Sequence, residues 1–362
     1  MPADRDKENC SRNRLWLLGL LFLQVPACGG EGERPPAPQS QPETITAPLE
    51  APPVACDSAL PVLIEAPQTL AETGLYTDVA SQTLAPGILP YEPRYGLWSD
   101  GAGKGRWMYL PPCTTVDTSD MNNWSFPVGT RAFKEFSLNG VRIETRLVAR
   151  TGSGPNDFLY ATYLWNAEES AAELVPRTGI KNAKNTEHDV PSVMQCHQCH
   201  GSHPQFGGRP SRMLGFSAIQ LSGEQLDALV SSGRLSAPPQ GPVTVPGDPV
   251  AQHALGYLHA NCGTCHNDSP DGVKLVDLNL WLDVGHAEVA DTAAFKTAVA
   301  QANHLFNIHG VRQRIAPGNP AGSSIDYRMG ERGNNAQMPP VATEQVDEEG
   351  RAAVRAWIEA LP

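Results

Sequence analysis

The sequence is poor in charge, and poorer still in positive charge. Only 18% of its 362 residues are charged, Lys and Arg number 27 against 39 Asp and Glu, and the formal net charge is −12. That balance argues against nucleic acid as a partner and suits a chain that meets neutral or basic partners. Long apolar runs are missing too: the stretch LWLLGLLFLQV beginning at Leu15 is too short to span a bilayer comfortably. Helix signals are few between residues 56 and 190, and nothing repeats except one short motif. Turn formers, in contrast, are abundant: 33 Gly and 33 Pro predict many loops, short elements and at least one linker. With 40% hydrophobic residues the chain can still bury a sizeable core, and its length allows two or three domains.

The N-terminus reads as an export signal. Arg5, Lys7, Arg12 and Arg14 precede the apolar run, which ends in VPACGG. Ala27 before Cys28 resembles a bacterial lipobox, with Pro26 departing from the usual Ala or Ser; the expectation is a signal over residues 1–27 and lipidation of Cys28. An ordinary cleaved signal peptide is the alternative. Residues 28–55, rich in Pro, Glu, Gln and Gly without apolar periodicity, read as a disordered tether. Export implies an oxidising compartment. Cys10 leaves with the signal, so Cys56 and Cys113 remain once Cys28 and two cysteine pairs are set aside. A disulfide between them, closing a loop of about 56 residues, is the simple accounting.

Residues 56–190 read as a β-rich domain. RWMYLP (Arg106–Pro111) and DFLYATYLW (Asp157–Trp165) are strand candidates. RAFKEFSL and VRIETRLVA flank Asn139-Gly140, a strong hairpin signal, so a small antiparallel sheet or sandwich is expected. Further on, Ser222 and Gln225 form a capping box ahead of an apolar stripe at Leu226, Leu229 and Val230, with Gly233 closing the helix. APPQGPVTVPG (Ala237–Gly247) reads as a linker. Asp248 caps a helix with Pro249 in its first turn, and Ala251, Leu255, Leu258 and Cys262 recur on one face. A terminal amphipathic helix carries Val354, Trp357, Ile358 and Leu361.

The repeated motif is C-x-x-C-H, at Cys196, Cys199 and His200 and again at Cys262, Cys265 and His266. Composition alone predicts roughly 0.005 such matches, so two are no accident. The pattern is the attachment signature of c-type haem: two thiols one helical turn apart take the two vinyl groups of a porphyrin, and the adjacent histidine becomes an axial ligand of the iron. Two covalently attached haem c groups are therefore expected. A four-cysteine zinc site fits less well, because the pairs lie too far apart in sequence and the histidines go unexplained; a thioredoxin-like redox pair expects a βαβ setting that neither site has.

Each iron needs a sixth ligand, commonly Met or His. For the second haem Met338, stiffened by Pro339 and Pro340, competes with Met329; His259, His304 and His309 read as polar contacts or surface residues. For the first, Met213 is a candidate beside His188, Met194, Met108 and an open position, while His197 and His203 are poorly placed.

With these residues in view, residues 248–362 resemble the monohaem class I cytochrome c fold through CGTCH, MPP and the helix ending AVRAWIEAL. Most of residues 85–362 resemble a family of exported bacterial dihaem c-type cytochromes. The matching phrases include FPVGTRAFKEFSLNGVRIETRL, VPSVMQCHQCHG, YLHANCGTCH and IAPGNPAGSSIDYRM. The resemblance implies haem binding by both motifs and iron ligation by Met338. The expected fold is α+β and multidomain: a β-rich domain over residues 56–190, then a mainly helical region with the first haem segment at 191–240 and a cytochrome c-like domain at 241–362. The expected function is electron transfer in the periplasm or at the cell envelope, with redox proteins as partners and the membrane reached only through lipid. The alternative is a dihaem redox enzyme, peroxidase-like or an oxidase or dehydrogenase component, with an open haem.

Overall fold

A computed structural model describes residues 55–201, 212–221, 223–268, 276–304, 310–341 and 343–362. The expected signal, the expected lipidation site Cys28 and all but the last residue of the expected tether lie outside them. The described residues mix helices and strands, and all belong to one contact unit, Pro48–Pro362.

The centre is a six-stranded antiparallel meander in sequence order: β3 (Ile88–Pro90), β4 (Gly103–Tyr109), β5 (Arg131–Leu138), β6 (Val141–Arg150), β7 (Phe158–Trp165) and β8 (Ala172–Leu174). A two-stranded ribbon, β1 (Tyr76–Asp78) with β2 (Thr83–Leu84), precedes it. The β5–β6 hairpin turns at Asn139 and Gly140, whose φ angles of 51° and 81° are those of a primed turn. β4 begins earlier than the Arg106–Pro111 stretch and stops at Tyr109; Pro111 and Pro112 have no N–H to donate to a neighbouring strand.

Both faces of the sheet are covered. Side chains alternate along each strand, and one set, including Trp107, Phe133, Leu147, Tyr163 and Trp165, packs on Leu70, Leu75 and Tyr76. The opposite set, including Met108, Ala132 and Val148, packs on Trp124, Phe126, Met213, Phe216 and Leu221. Cys56 and Cys113 form a disulfide with Cα atoms 5.5 Å apart.

Among the described residues six α-helices follow in chain order: α1 (Val193–His200), α2 (Gly223–Ser231), α3 (Pro249–Asn261), α4 (Ala293–Ala298), α5 (Ser324–Met329) and α6 (Glu348–Ala360). Asp248 caps α3 by accepting from Ala251 N at 2.9 Å, and Asp347 caps α6 by accepting from Gly350 N at 2.9 Å. α3 and α6 share a core of Leu255, Leu258, Val354, Trp357 and Ile358, closed by Leu280, Leu282 and Ile315. In α2, Leu226 and Leu229 are buried but Val230 is exposed. Ser222, the expected cap, lies outside the described residues; Gln225 Oε1 accepts from Glu92 N at 3.0 Å, a contact no local pattern announces.

The stretch Ala237–Gly247 is not a free linker. Val245 is buried in the α3–α6 core, and Val243 packs against that core and the sheet-side core together. A second tie comes from residues 95–100. Tyr95 lies against α3 where Gly256 offers no side chain; a Cβ there would meet the ring at 2.0 Å. Trp98 N donates to Asn261 Oδ1 at 2.8 Å, its Nε1 donates to Gln345 O at 3.1 Å, and the Asp100 carboxylate accepts from Glu344 N and Gln345 N. These bonds seat the sheet directly on the helical region and so place the site between them.

Candidate functional site

The first C-x-x-C-H sits on α1, a helix with no fully buried residue, so its ends matter. Ser192 Oγ accepts from Gln195 N at 3.2 Å, and Gln195 Oε1 accepts from Ser192 N at 2.9 Å, completing a capping box. That fixes the helix, and Cys196 and Cys199 fall one turn apart on the same face. His200 Nδ1 lies 2.9 Å from Arg212 O. A carbonyl only accepts, so Nδ1 carries the proton and Nε2 keeps its lone pair, the arrangement a metal-ligating imidazole requires. His197 turns instead to Gly201 O, at 3.3 Å, and to the edge of Tyr160.

The second motif begins where α3 ends. Cys262 N donates to Leu258 O, and His266 N and Cys265 N both donate to Cys262 O, winding the motif into a tight turn. Gly263 is needed in that turn: a Cβ would come within 2.7 Å of His259 O. His266 Nδ1 is buried without a hydrogen-bond partner among the described residues.

The two motifs touch. Cys265 Sγ lies 3.9 Å from Gln198 O, and Arg212 Nη2 reaches Thr264 O at 3.4 Å. All six motif residues line one cavity of about 570 Å³, within the usual range of small-molecule pockets. Met213 and Met338 line it as well, with Tyr91, Phe216, Trp281 and Pro340 among the apolar wall.

Burial sets the chemistry of the donors. It pushes both His200 and His266 down to about 4, so both imidazoles are neutral near neutral pH, the form that ligates a metal. It pushes the Cys199 and Cys262 thiols up to about 12, and raises Cys196 and Cys265 too. Catalytic disulfide chemistry wants the opposite, a stabilised thiolate. Among the described residues no three His, Cys, Asp or Glu side chains are grouped to hold a metal ion.

The other sixth-ligand candidates separate by position. Met338 is held in a loop by its N–H to Arg328 O at 3.0 Å. Met329 lines the cavity but is largely buried in the α3–α6 core, and Met213 is buried in the sheet-side core. Met194 is exposed, and Met108 packs in the sheet-side core without lining the cavity. His188 is engaged by Glu144 at 2.6 Å, and His259 Nδ1 accepts from Leu282 N at 3.0 Å. His304 does not line the cavity; His203 and His309 lie outside the described residues.

Sequence reasoning missed one part of the site, the polar residues on the sheet wall. Glu144 is fully buried, bonded by Arg146 Nε at 3.0 Å and by His188 Nε2 at 2.6 Å. Burial pushes this carboxyl up, but Arg146 and His188 outweigh it and hold it below its ordinary value. A depressed folded-state pKa means the stabilisation is complete above the unfolded value of about 4.3 and is lost as pH falls through the folded one. Glu144→Gln is therefore expected to cost about 3–5 kcal/mol in denaturant unfolding at pH 7. The gap to the unmodified chain should narrow below about pH 4; a gap equally wide at pH 3 would contradict this account.

No protein-family model, no curated protein and no solved structure matches the chain.

Proposed function

We propose that the chain is a dihaem c-type cytochrome that relays electrons at the bacterial cell envelope. The observation that carries the reading is the meeting of both C-x-x-C-H motifs in one largely apolar cavity, each with a neutral histidine beside its cysteine pair. The residues fit the group. Cys196 with Cys199, and Cys262 with Cys265, would hold two haems covalently; His200 and His266 would be axial ligands, with Met338 on the second iron and Met213 on the first. Haem iron supplies reversible one-electron chemistry when bound.

The chain's own part is to fix and shelter. Arg212 O holds the His200 ring in one tautomer. Trp281, Phe216 and Tyr91 exclude water from the cavity wall, which favours the less charged state of a redox centre. The touching motifs give a short path from one centre to the other. In this reading residues 191–240 carry the first haem, residues 241–362 form a cytochrome c-like second part, and residues 1–55 supply export and a lipid tether at Cys28. The acidic surface favours basic redox partners, in the weak encounters usual for electron transfer.

The test is to mature the full chain by export, weigh it, and record its reduced absorption spectrum with and without carbon monoxide. A mass gain of two haems and spectra indifferent to carbon monoxide support the relay. A carbon monoxide-reactive haem with peroxide turnover would favour a redox enzyme, and no mass gain would end both readings.

A further inference from the structure

β4, β5 and β6 place three cations side by side. Arg106 pairs with Lys134, and Lys134 with Arg146, across directly bonded strands, and all three line the cavity. Like charges opposite one another on a sheet repel, and the surroundings do little to relieve this row. Arg146 is neutralised by Glu144, but Glu144 is shared with His188. Lys134 Nζ sits 4.7 Å from the centre of the Phe136 ring, and Arg146 stacks on the same ring at 4.1 Å. Neither the Arg106 guanidinium nor the Lys134 ammonium has a hydrogen bond or ion pair among the described residues. The other carboxylates lining the cavity are committed or in solvent: Asp100 accepts from two backbone amides, Asp189 pairs with Lys181 and Glu344 is exposed, while Glu92, exposed and outside the lining, favours the charged form of Arg106 without bonding it. Two basic side chains thus face the cavity without a bonded anion, and burial together with Arg146, Arg106 and Lys104 pushes the Lys134 ammonium well below its ordinary value.

We propose that Arg106 and Lys134 form a carboxylate clamp on the sheet wall, and that it takes the two propionates of the haem carried at Cys196 and Cys199. The inference rests on the dihaem reading and deepens it. Two carboxylates would supply the anions that both side chains lack and would favour the charged form of Lys134; the guanidinium fork suits a carboxylate while the ammonium acts as a point charge. The first motif is the right neighbour, because Tyr160, which follows Ala132 and Val148 across the same sheet face, sets its ring 5.4 Å from that of His200. With Arg106 and Lys134 neutralised, the sheet wall no longer opposes its own folding.

The test uses the exported, haem-loaded full chain and its Lys134→Met, Lys134→Arg and Arg106→Gln variants, each weighed and then titrated by spectroelectrochemistry. A cation beside a haem opposes the extra positive charge of the oxidised iron, so losing it lowers the midpoint. Lys134→Met should retain both haems and shift one oxidised-to-reduced equilibrium by about tenfold, which is ~59 mV for one electron. The other midpoint should stay in place, and Lys134→Arg should restore the first. Should Lys134→Met fail to mature, Arg106→Gln is read by the same criterion. Two attached haems with both midpoints unmoved would overturn the clamp alone; a chain without haem would overturn clamp and function together. Adding acetate or inorganic phosphate should leave the haem spectra unchanged. A spectral shift that these anions cause in the parent chain and not in Lys134→Met would assign the cations to an external anion and overturn the propionate assignment.

Discussion

Alanine at both Cys262 and Cys265 should strip one haem from the mature chain and leave the other attached. The motifs are built independently: the first by the capping box of α1, the second by the turn that ends α3. Neither needs the other's backbone to form, so the attachment sites should fail one at a time. Alanine at Cys196 and Cys199 should give the mirror result, and all four substitutions should give a chain without haem. Mass spectrometry reads the count directly. Stability should fall with it. An unfilled cavity costs ~24 cal/mol per Å³, so leaving even half of the 570 Å³ unoccupied costs on the order of 7 kcal/mol. Domains are stable by only about 5–15 kcal/mol. The one-haem variants should therefore melt well below the parent and be cut quickly by protease. A variant that keeps both haems, or one that loses a haem and melts where the parent does, would contradict the proposed occupants of the cavity.

Met338→Ala should produce the largest change in redox behaviour. A thioether on the iron raises its potential, and the choice of axial ligand spans ~0.8 V across haem proteins. Losing the sulfur should lower one midpoint on the order of a hundred millivolts. It should also open that haem to carbon monoxide. The contrast is Met329→Ala. Met329 lies in the α3–α6 core, so its loss should cost about 2–5 kcal/mol of stability and leave both midpoints nearly in place. If Met329→Ala moves a midpoint and Met338→Ala does not, the assignments exchange.

What the sequence showed follows from how local each signal is. Asn139-Gly140 announced the β5–β6 hairpin because the turn's positive φ angles need such residues. Asp248 with Pro249 marked the start of α3, and the period of Val354, Trp357 and Ile358 marked α6. α1 was harder: VMQCHQCH has no apolar stripe, and its helix rests on the Ser192–Gln195 box, which spacing could have revealed. The tie through residues 95–100 could not have been found, since Trp98 and Gln345 meet across 247 positions. The charges of β5 and β6 were visible, but their role was not. Alternation tells which residues share a face, not what covers it. Here both faces are packed, so Lys134 and Arg146, which a lone hairpin would show to water, turn inward to the cavity, and Glu144 is buried beside Arg146.

That inward turn bears on how the chain can be divided. The strands supply a wall of the chamber in which both motifs stand, and Trp98 and Asp100 bolt that wall to α3 and to the segment before α6. A fragment cut near residue 241 would keep the second motif but give up the panel opposite it, exposing to water what the whole molecule encloses. The β region is thus no detachable neighbour of the two motifs; it is the masonry of the same room.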